Sequence, residues 1–334
     1  MSQVLSWRLS AKPSLAWPVL LIALIALAPN RSWSGVMPET LDPLPSLQQP
    51  AGLARDSGSG DLFIGDAATG LIWRRRAGQS LNFFARLPTD GPARLEELEL
   101  DSAHGWLWAI ASQAEPSSRP IVPAPAAALY RFDLASGRLQ QRHLLVEAGA
   151  WHHLGDLVVA SNGDVYLSHS YERPAVYRLT ADDDQLAVFW RGGPQVREPH
   201  GIALDDAHGW LYLGHERGLL RIQLSTGVSE NLALPAGTAI NSCTSLHWYH
   251  GRLLALTAGT GVLQLLTLTT DADTTMPSRV LRSDTIAVLS RQQFPPRGGL
   301  VQADEFWFLA EQLRASRHAD IDAQSTLQKL VLPH

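Results

Sequence analysis

Seven residues whose side chains suit catalysis or ligand binding stand at or just before predicted strand starts. They are Glu96, Glu97, His152, His153, Asp156, His200 and Arg297. A histidine with a carboxylate can bind a metal ion or act as an acid–base pair, and an arginine can hold an anionic group. All seven are candidate ligand-binding residues, and Glu96 and His200 are also the catalytic candidates.

These residues belong to six similar segments of the chain, which determine where their strands begin. The phrase LDSAHGWLW (100–108) recurs as LDDAHGWLY (204–212), and aligning further segments to this pair gives six copies 44 to 59 residues apart. Each copy has a short apolar strand, a turn, a second strand and an alternating third strand, with no convincing amphipathic helix. In the first four copies a further extended stretch follows, so that the unit has about four strands. This pattern predicts an all-β, six-bladed β-propeller. The first buried residues of the copies are Leu53, Leu98, Leu157, Ile202, Leu246 and Leu300.

The last copy ends after its third strand, which leaves its blade one strand short. Residues 36–48, VMPETLDPLPSLQ, precede the first copy and can supply the missing outermost strand. Prolines are tolerated there because an outer strand has one unpaired edge. We therefore predict a single propeller domain over residues 36–334, closed by an N-terminal strand, with long loops at 112–127 and 312–325 on the face where the first strands begin.

The repeated phrase itself contains two histidines, His104 and His208, that could bind a ligand. Both follow the first strand, about 20 Å from its start at about 3.3 Å per residue. We interpret them as turn residues on the face away from the chemistry, and we expect Trp106 and Trp210 to pack between neighbouring blades.

Residues 1–35 resemble a secretory signal peptide. Arg8 and Lys12 precede an apolar run over 15–28, and a short stretch of mostly small and polar residues follows. The sequence thus predicts export, to the periplasm or the medium, with an uncleaved N-terminal anchor as the alternative. No later segment is apolar enough to span a bilayer. Cys243 is the only cysteine, so no internal disulfide is expected.

The net charge of −5 leaves no basic surface for nucleic acid. The sequence contains no Cys-x-x-Cys-His motif, so a bound haem is not implied. It contains neither a P-loop nor a dinucleotide-binding glycine motif, so nucleotide cofactors are not implied. The expected partners are a small-molecule ligand or another exported protein.

Three segments resemble the family of gluconolactonases, regucalcins and luciferin-regenerating enzymes, which are six-bladed propellers. They are LGDLVVASNGDVYLSHS (154–170), PHGIALDDAHGWLYLGHERGLLRIQLSTG (199–227) and PPRGGLVQADEFWFLAEQ (295–312). Each motif is weak by itself, but they fall in register with the six copies. The resemblance covers most of residues 45–334.

The resemblance implies one divalent metal in the central channel, held by Glu, Asn and Asp side chains at strand starts, and hydrolysis of lactones or related esters. Such oxygen ligands suit a hard cation. The matching positions here are Ala51, Gly155, His200 and Thr244. A divalent metal is therefore possible, but most ligand positions are lost, and only Asp156 and His200 remain as candidate metal ligands.

Three functions stay open at this point. The first is a propeller that binds a small molecule or an exported protein at the mouth of its channel without turnover. The second is a lactone or ester hydrolase whose site has been rebuilt around Glu96 and His200, with or without a metal. The third is a scaffold whose blades serve only assembly, or an unrelated redox propeller.

Overall fold

The computed structural model describes residues 37–44, 47–113, 125–146, 152–170, 173–269, 279–289, 296, 298–315 and 321–334. Residues 1–35, which carry the predicted signal peptide, lie outside this part of the chain. The described residues form 24 strands. The strands are β1 (Glu39–Pro43), β2 (Pro50–Arg55), β3 (Leu62–Asp66), β4 (Leu71–Arg75), β5 (Leu81–Arg86), β6 (Arg94–Asp101), β7 (Trp106–Ser112), β8 (Pro125–Asp133), β9 (Leu139–Val146), β10 (His153–Val159), β11 (Val165–Ser170), β12 (Ala175–Leu179), β13 (Ala187–Arg191), β14 (Ile202–Asp205), β15 (Trp210–His215), β16 (Gly218–Gln223), β17 (Ser229–Asn231), β18 (Cys243–Tyr249), β19 (Arg252–Thr257), β20 (Val262–Leu268), β21 (Val280–Val288), β22 (Gly299–Gln302), β23 (Glu305–Ala315) and β24 (Ile321–Val331).

These strands build six four-stranded antiparallel sheets, and the predicted six-bladed β-propeller is confirmed. Five sheets are consecutive in the chain, β2 to β5, β6 to β9, β10 to β13, β14 to β17 and β18 to β21; the sixth has the order β1-β24-β23-β22. The first strands β2, β6, β10, β14, β18 and β22 contact one another in turn and return to β2, so they line the centre of the ring. All six predicted first buried residues lie in these strands.

Six apolar clusters hold the blades together, one between each pair of neighbouring sheets. Strand β7 has an almost continuously apolar sequence because both of its faces are buried. Leu107 and Ala109 face the first blade, whereas Trp108 and Ile110 face the third, so both sides of the strand are buried. Such a strand lacks the alternation of apolar and polar residues that is expected when one face of a sheet is exposed to solvent.

The ring closes between the two ends of the described chain. Strand β1 pairs with β24, with Glu39 opposite Lys329 and Pro43 opposite Thr326. Leu44 and Leu47, which follow β1, are buried in the cluster between the sixth and first blades. The N-terminal segment therefore contributes both a strand and core side chains.

One loop prediction needs correction, and the strand plan of the fifth blade needs extension. The segment 312–325, expected as a loop, is largely strand, since β23 continues to Ala315 and β24 begins at Ile321. The fifth blade has a fourth strand, β21, that the alignment of copies did not include. Much of the other expected loop, 112–127, lies outside the described residues.

The repeated histidines occupy turns, as predicted. His104 Nδ1 lies 2.8 Å from Asp101 Oδ1, and His208 Nδ1 lies 2.9 Å from Asp205 Oδ1. Trp106 and Trp210 pack against inter-blade clusters. No helix in the described part of the chain has the length and apolar character needed to cross a bilayer.

Candidate functional site

A cavity of about 480 Å³ opens where the first strands begin. We call it the channel-mouth cavity, and the polar residues that line it include Arg94, Glu96, Glu97, His153, His200 and Thr244. Four of the seven residues predicted from the sequence, Glu96, Glu97, His153 and His200, thus face one space. Arg94 was not predicted, although its place two residues before Glu96 on the same strand was a usable signal.

Glu96 stands at the centre of the charged groups in this cavity. Its Oε1 lies 3.2 Å from Arg94 Nε and 3.6 Å from His153 Nε2. The His153 ring in turn lies 5.9 Å from that of His200, measured between centroids. A carboxylate, a guanidinium and two imidazoles therefore meet in one wall, offering both donors and acceptors.

A β-bulge explains how consecutive glutamates can both line the cavity. The pairing of β6 with β7 shifts between Leu95 and Glu97, which leaves Glu96 as the extra residue. A regular strand would send Glu96 and Glu97 to opposite faces, and a bulge re-aims one of them.

Glu97 and Asp156 use their carboxylates to join neighbouring blades. Glu97 Oε1 accepts hydrogen bonds from the backbone N–H groups of Leu53 and Leu98, each at 3.0 Å. Asp156 accepts from Leu157 at 2.8 Å and from Ile202 at 3.0 Å. The first set links the first and second blades, and the second links the third and fourth. Among the residues lining the cavity Glu97 is present and Asp156 is not.

Burial changes the protonation of these inner carboxyls. It raises the pKa of Glu97 to about 7 and that of Glu99, two residues further along β6, to about 8, and the charge of Glu97 adds to the shift at Glu99. The pKa of Asp156 is raised well above its ordinary value by burial and then by the charge of Glu97. Three acids thus share the inner strands, and the sequence had not singled out Glu99.

The remaining two predicted site residues are placed differently. His152 is buried, and its Nδ1 lies 2.8 Å from His169 Nε2. Burial lowers the pKa of His169 to about 4. Arg297 lies outside the described residues, between Pro296 and Gly298, which line the cavity. His152 is therefore buried beside His169 and is not among the residues that line the cavity, and the position of Arg297 stays a prediction.

The metal site implied by the family resemblance does not fit this cavity. Ala51, Gly155 and Thr244 line it, but none of them has a carboxylate or amide side chain. At Gly155 a Cβ would lie 3.0 Å from both Cα and Cγ of His200, so an asparagine there would collide with that histidine. Among the described residues, no three metal-ligating side chains in the cavity converge as a site.

Fold and cavity together define a six-bladed β-propeller with a polar site at the channel mouth. No protein-family model and no curated protein sequence matches the chain. Solved structures do match.

The PQQ-bound aldose sugar dehydrogenase from Streptomyces coelicolor is 14% identical with a TM-score of 0.60, covering 90% of this chain and 100% of its own. A luciferin-regenerating enzyme is 11% identical with a TM-score of 0.58, covering 89% of this chain and 95% of its own. The Xanthomonas campestris gluconolactonase is 14% identical with a TM-score of 0.53, covering 92% of this chain and 99% of its own.

The expected resemblance to gluconolactonases and luciferin-regenerating enzymes is thus confirmed at the level of the fold. At these identities the likeness says nothing about which reaction, if any, this chain performs, because one propeller fold hosts several chemistries.

Proposed function

We propose that this protein is an exported, gluconolactonase-like propeller that binds a small polar molecule in the channel-mouth cavity. The observation that carries the proposal is the convergence of Arg94, Glu96, His153 and His200 on one cavity. Its volume of about 480 Å³ falls within the range of about 300–1,000 Å³ that is typical of small-molecule sites. The proposal of export rests on residues 1–35.

The chemistry of the wall favours a ligand with several hydroxyl groups. Glu96 accepts hydrogen bonds, Arg94 donates them, and the imidazoles of His153 and His200 can do either. Ala51, Gly52 and Gly298 also line the cavity, so that bulky side chains are absent there. A sugar, its lactone or the corresponding acid would satisfy this mixture of donors and acceptors.

A binding screen tests the proposal. Thermal melting and titration calorimetry of the mature chain would be run with monosaccharides, sugar acids and sugar lactones. We expect at least one class to raise the melting temperature, and Glu96→Gln to abolish that rise while leaving the unliganded protein folded. Asp182→Asn is the control, because it makes the same carboxylate-to-amide change at an exposed residue in the turn between β12 and β13. No shift from any compound, or equal shifts in Glu96→Gln, would contradict the proposal.

Lactone or ester hydrolysis is the second candidate function, favoured by the 3.6 Å contact between His153 Nε2 and Glu96 Oε1. In that reaction a histidine–carboxylate pair removes a proton from water as its oxygen attacks the lactone carbonyl. His200, facing the same cavity, would give a proton to the departing ring oxygen, and the product is the open hydroxy acid. Turnover of lactones or aryl esters that falls about 100-fold or more in His200→Ala would support this reaction. Absence of turnover, or turnover that is unchanged by His200→Ala, would exclude it.

A further inference from the structure

Two histidines and an aspartate converge on the face of the disc away from the channel-mouth cavity. His250 lies in the turn after β18, Asp304 lies in the turn after β22, and His334 follows β24. Their ligand atoms all lie within 4.8 Å of one another. They come from the fifth blade, the sixth blade and the segment beyond the closing sheet, so the fold assembles them from distant parts of the chain.

The two spacings from Asp304 are close to the edges of a metal coordination shell, and the two histidine nitrogens lie within 4.8 Å of each other. Asp304 Oδ1 lies 3.1 Å from His250 Nε2 and 3.5 Å from His334 Nδ1. In a tetrahedral zinc site with ligand bonds of about 2.0–2.2 Å, neighbouring ligand atoms are about 3.3–3.6 Å apart. An ion could therefore enter with small side-chain movements.

We propose that His250, Asp304 and His334 form a binding site for a divalent transition-metal ion such as Zn²⁺. Two imidazole nitrogens and one carboxylate oxygen suit zinc and its neighbours better than calcium or magnesium, which prefer oxygen ligands alone. The three side chains are partly to largely exposed, which leaves the fourth coordination position to water.

Neighbouring contacts hold each ligand in position. The Tyr249 hydroxyl donates a 3.0 Å hydrogen bond to Asp304 Oδ1. The Leu332 N–H donates to the Asp304 backbone carbonyl at 2.7 Å, which fixes the segment that carries His334. Such supporting hydrogen bonds orient metal ligands in known sites.

The same turn in other blades shows what is special here. His104 and His208 also precede a turn glycine, but each contacts one aspartate from its own turn. Only the fifth-blade turn, within the described residues, has a second histidine and an aspartate from other elements close enough to share an ion. Metal binding would clamp the fifth blade to the sixth and to the residues after the closing strand.

Zinc titration of the chelator-treated full chain, carrying no affinity tag, tests the proposal. We expect one tightly held Zn²⁺ per chain by calorimetry and elemental analysis, and a melting temperature that rises with Zn²⁺ concentration. His250→Asn keeps a residue that tolerates the positive φ of 46° at this position. This variant and Asp304→Asn should each weaken binding by about tenfold or more.

His104→Asn is the matched control, since it makes the same change in the corresponding turn of the second blade, and it should bind as the unaltered protein does. The channel-mouth histidines could also take up zinc, so a His153→Gln, His200→Gln double variant is measured in parallel and should keep the site. Absence of stoichiometric binding, or binding that survives His250→Asn and Asp304→Asn but not the double variant, would overturn the proposal.

Discussion

Gly155 packs directly against His200, so that a side chain at position 155 would require His200 to move. A Cβ at position 155 would lie 3.0 Å from both Cα and Cγ of His200. The Ser168 hydroxyl, which donates to the His200 carbonyl, lies equally close to that point. The absence of a side chain at 155 is therefore a condition for the present position of His200 in the channel-mouth cavity.

An asparagine at position 155, which the gluconolactonase resemblance implies there, should damage this site. Gly155→Asn would force His200 and Ser168 apart, and we expect a loss of about 1–3 kcal/mol in the free energy of unfolding, together with loss of ligand-induced thermal shifts. Gly58→Ala is the control, because a Cβ there meets nothing closer than 3.7 Å. Denaturant unfolding of both variants measures the effect. If Gly155→Asn leaves the free energy of unfolding and the thermal shifts unchanged, the glycine is not needed to position His200.

The carboxyls of Glu97 and Glu99 on the inner strand β6 predict how stability depends on pH. Folding raises the pKa of Glu97 from 4.5 to about 7 and that of Glu99 from 4.5 to about 8. The folded state therefore keeps protons that the unfolded state has released. Their stabilising contribution is complete below about pH 4.5 and is lost as the pH rises through about 7 to 8.

Glu99→Gln isolates this effect, because glutamine cannot ionise. We expect the variant to gain stability relative to the unaltered protein as the pH rises from 5 to 9, measured by denaturant unfolding at each pH. Asp182→Asn, at an exposed residue in the turn between β12 and β13, should follow the unaltered protein throughout. A stability difference for Glu99→Gln that does not change with pH would contradict the raised pKa.

Ring closure by the N-terminal segment can be tested with one side chain. Leu44 is 2% exposed and packs between the sixth and first blades. Leu44→Ala should cost about 2–5 kcal/mol in the free energy of unfolding, the usual range for such a buried truncation. Met37→Ala, at a residue 74% exposed, should change little. A melting temperature unaffected by deleting residues 36–48 would contradict the closure.

Cys243 should be unreactive in the folded protein. Burial raises the pKa of its thiol to about 12, and a thiolate is the reactive form. We expect no modification by a thiol-specific chromogenic reagent under native conditions, and one equivalent after denaturation. Equal rates in the two states would show that the thiol is accessible.

The strand plan was predictable because its signals are local. Apolar runs and turn glycines mark each strand pair, and the ring then brings the strand starts together, which is why Glu96, His153 and His200 meet. The position of His152 could also have been predicted, since neighbouring residues in an extended chain point to opposite sides. His153 lines the cavity, whereas His152 is buried beside His169.

The roles of Glu97 and Asp156 were not predictable in this way. Whether a carboxylate faces a cavity or accepts from a backbone N–H depends on a bulge and on the neighbouring blade, which are products of the assembled ring. The same holds for His250, Asp304 and His334, whose proximity arises only when the fifth and sixth blades dock.

The pairing of β1 with β24 has a consequence for the newly made chain. Thr40 pairs with Gln328, far along the sequence, so β1 has no partner until nearly all blades have been synthesised. An unpaired strand can associate with the wrong edge, and proline, which cannot donate to a ladder, limits such pairing. Pro43 within β1 and Pro38 just before it leave this segment with two fewer backbone N–H donors for such pairing.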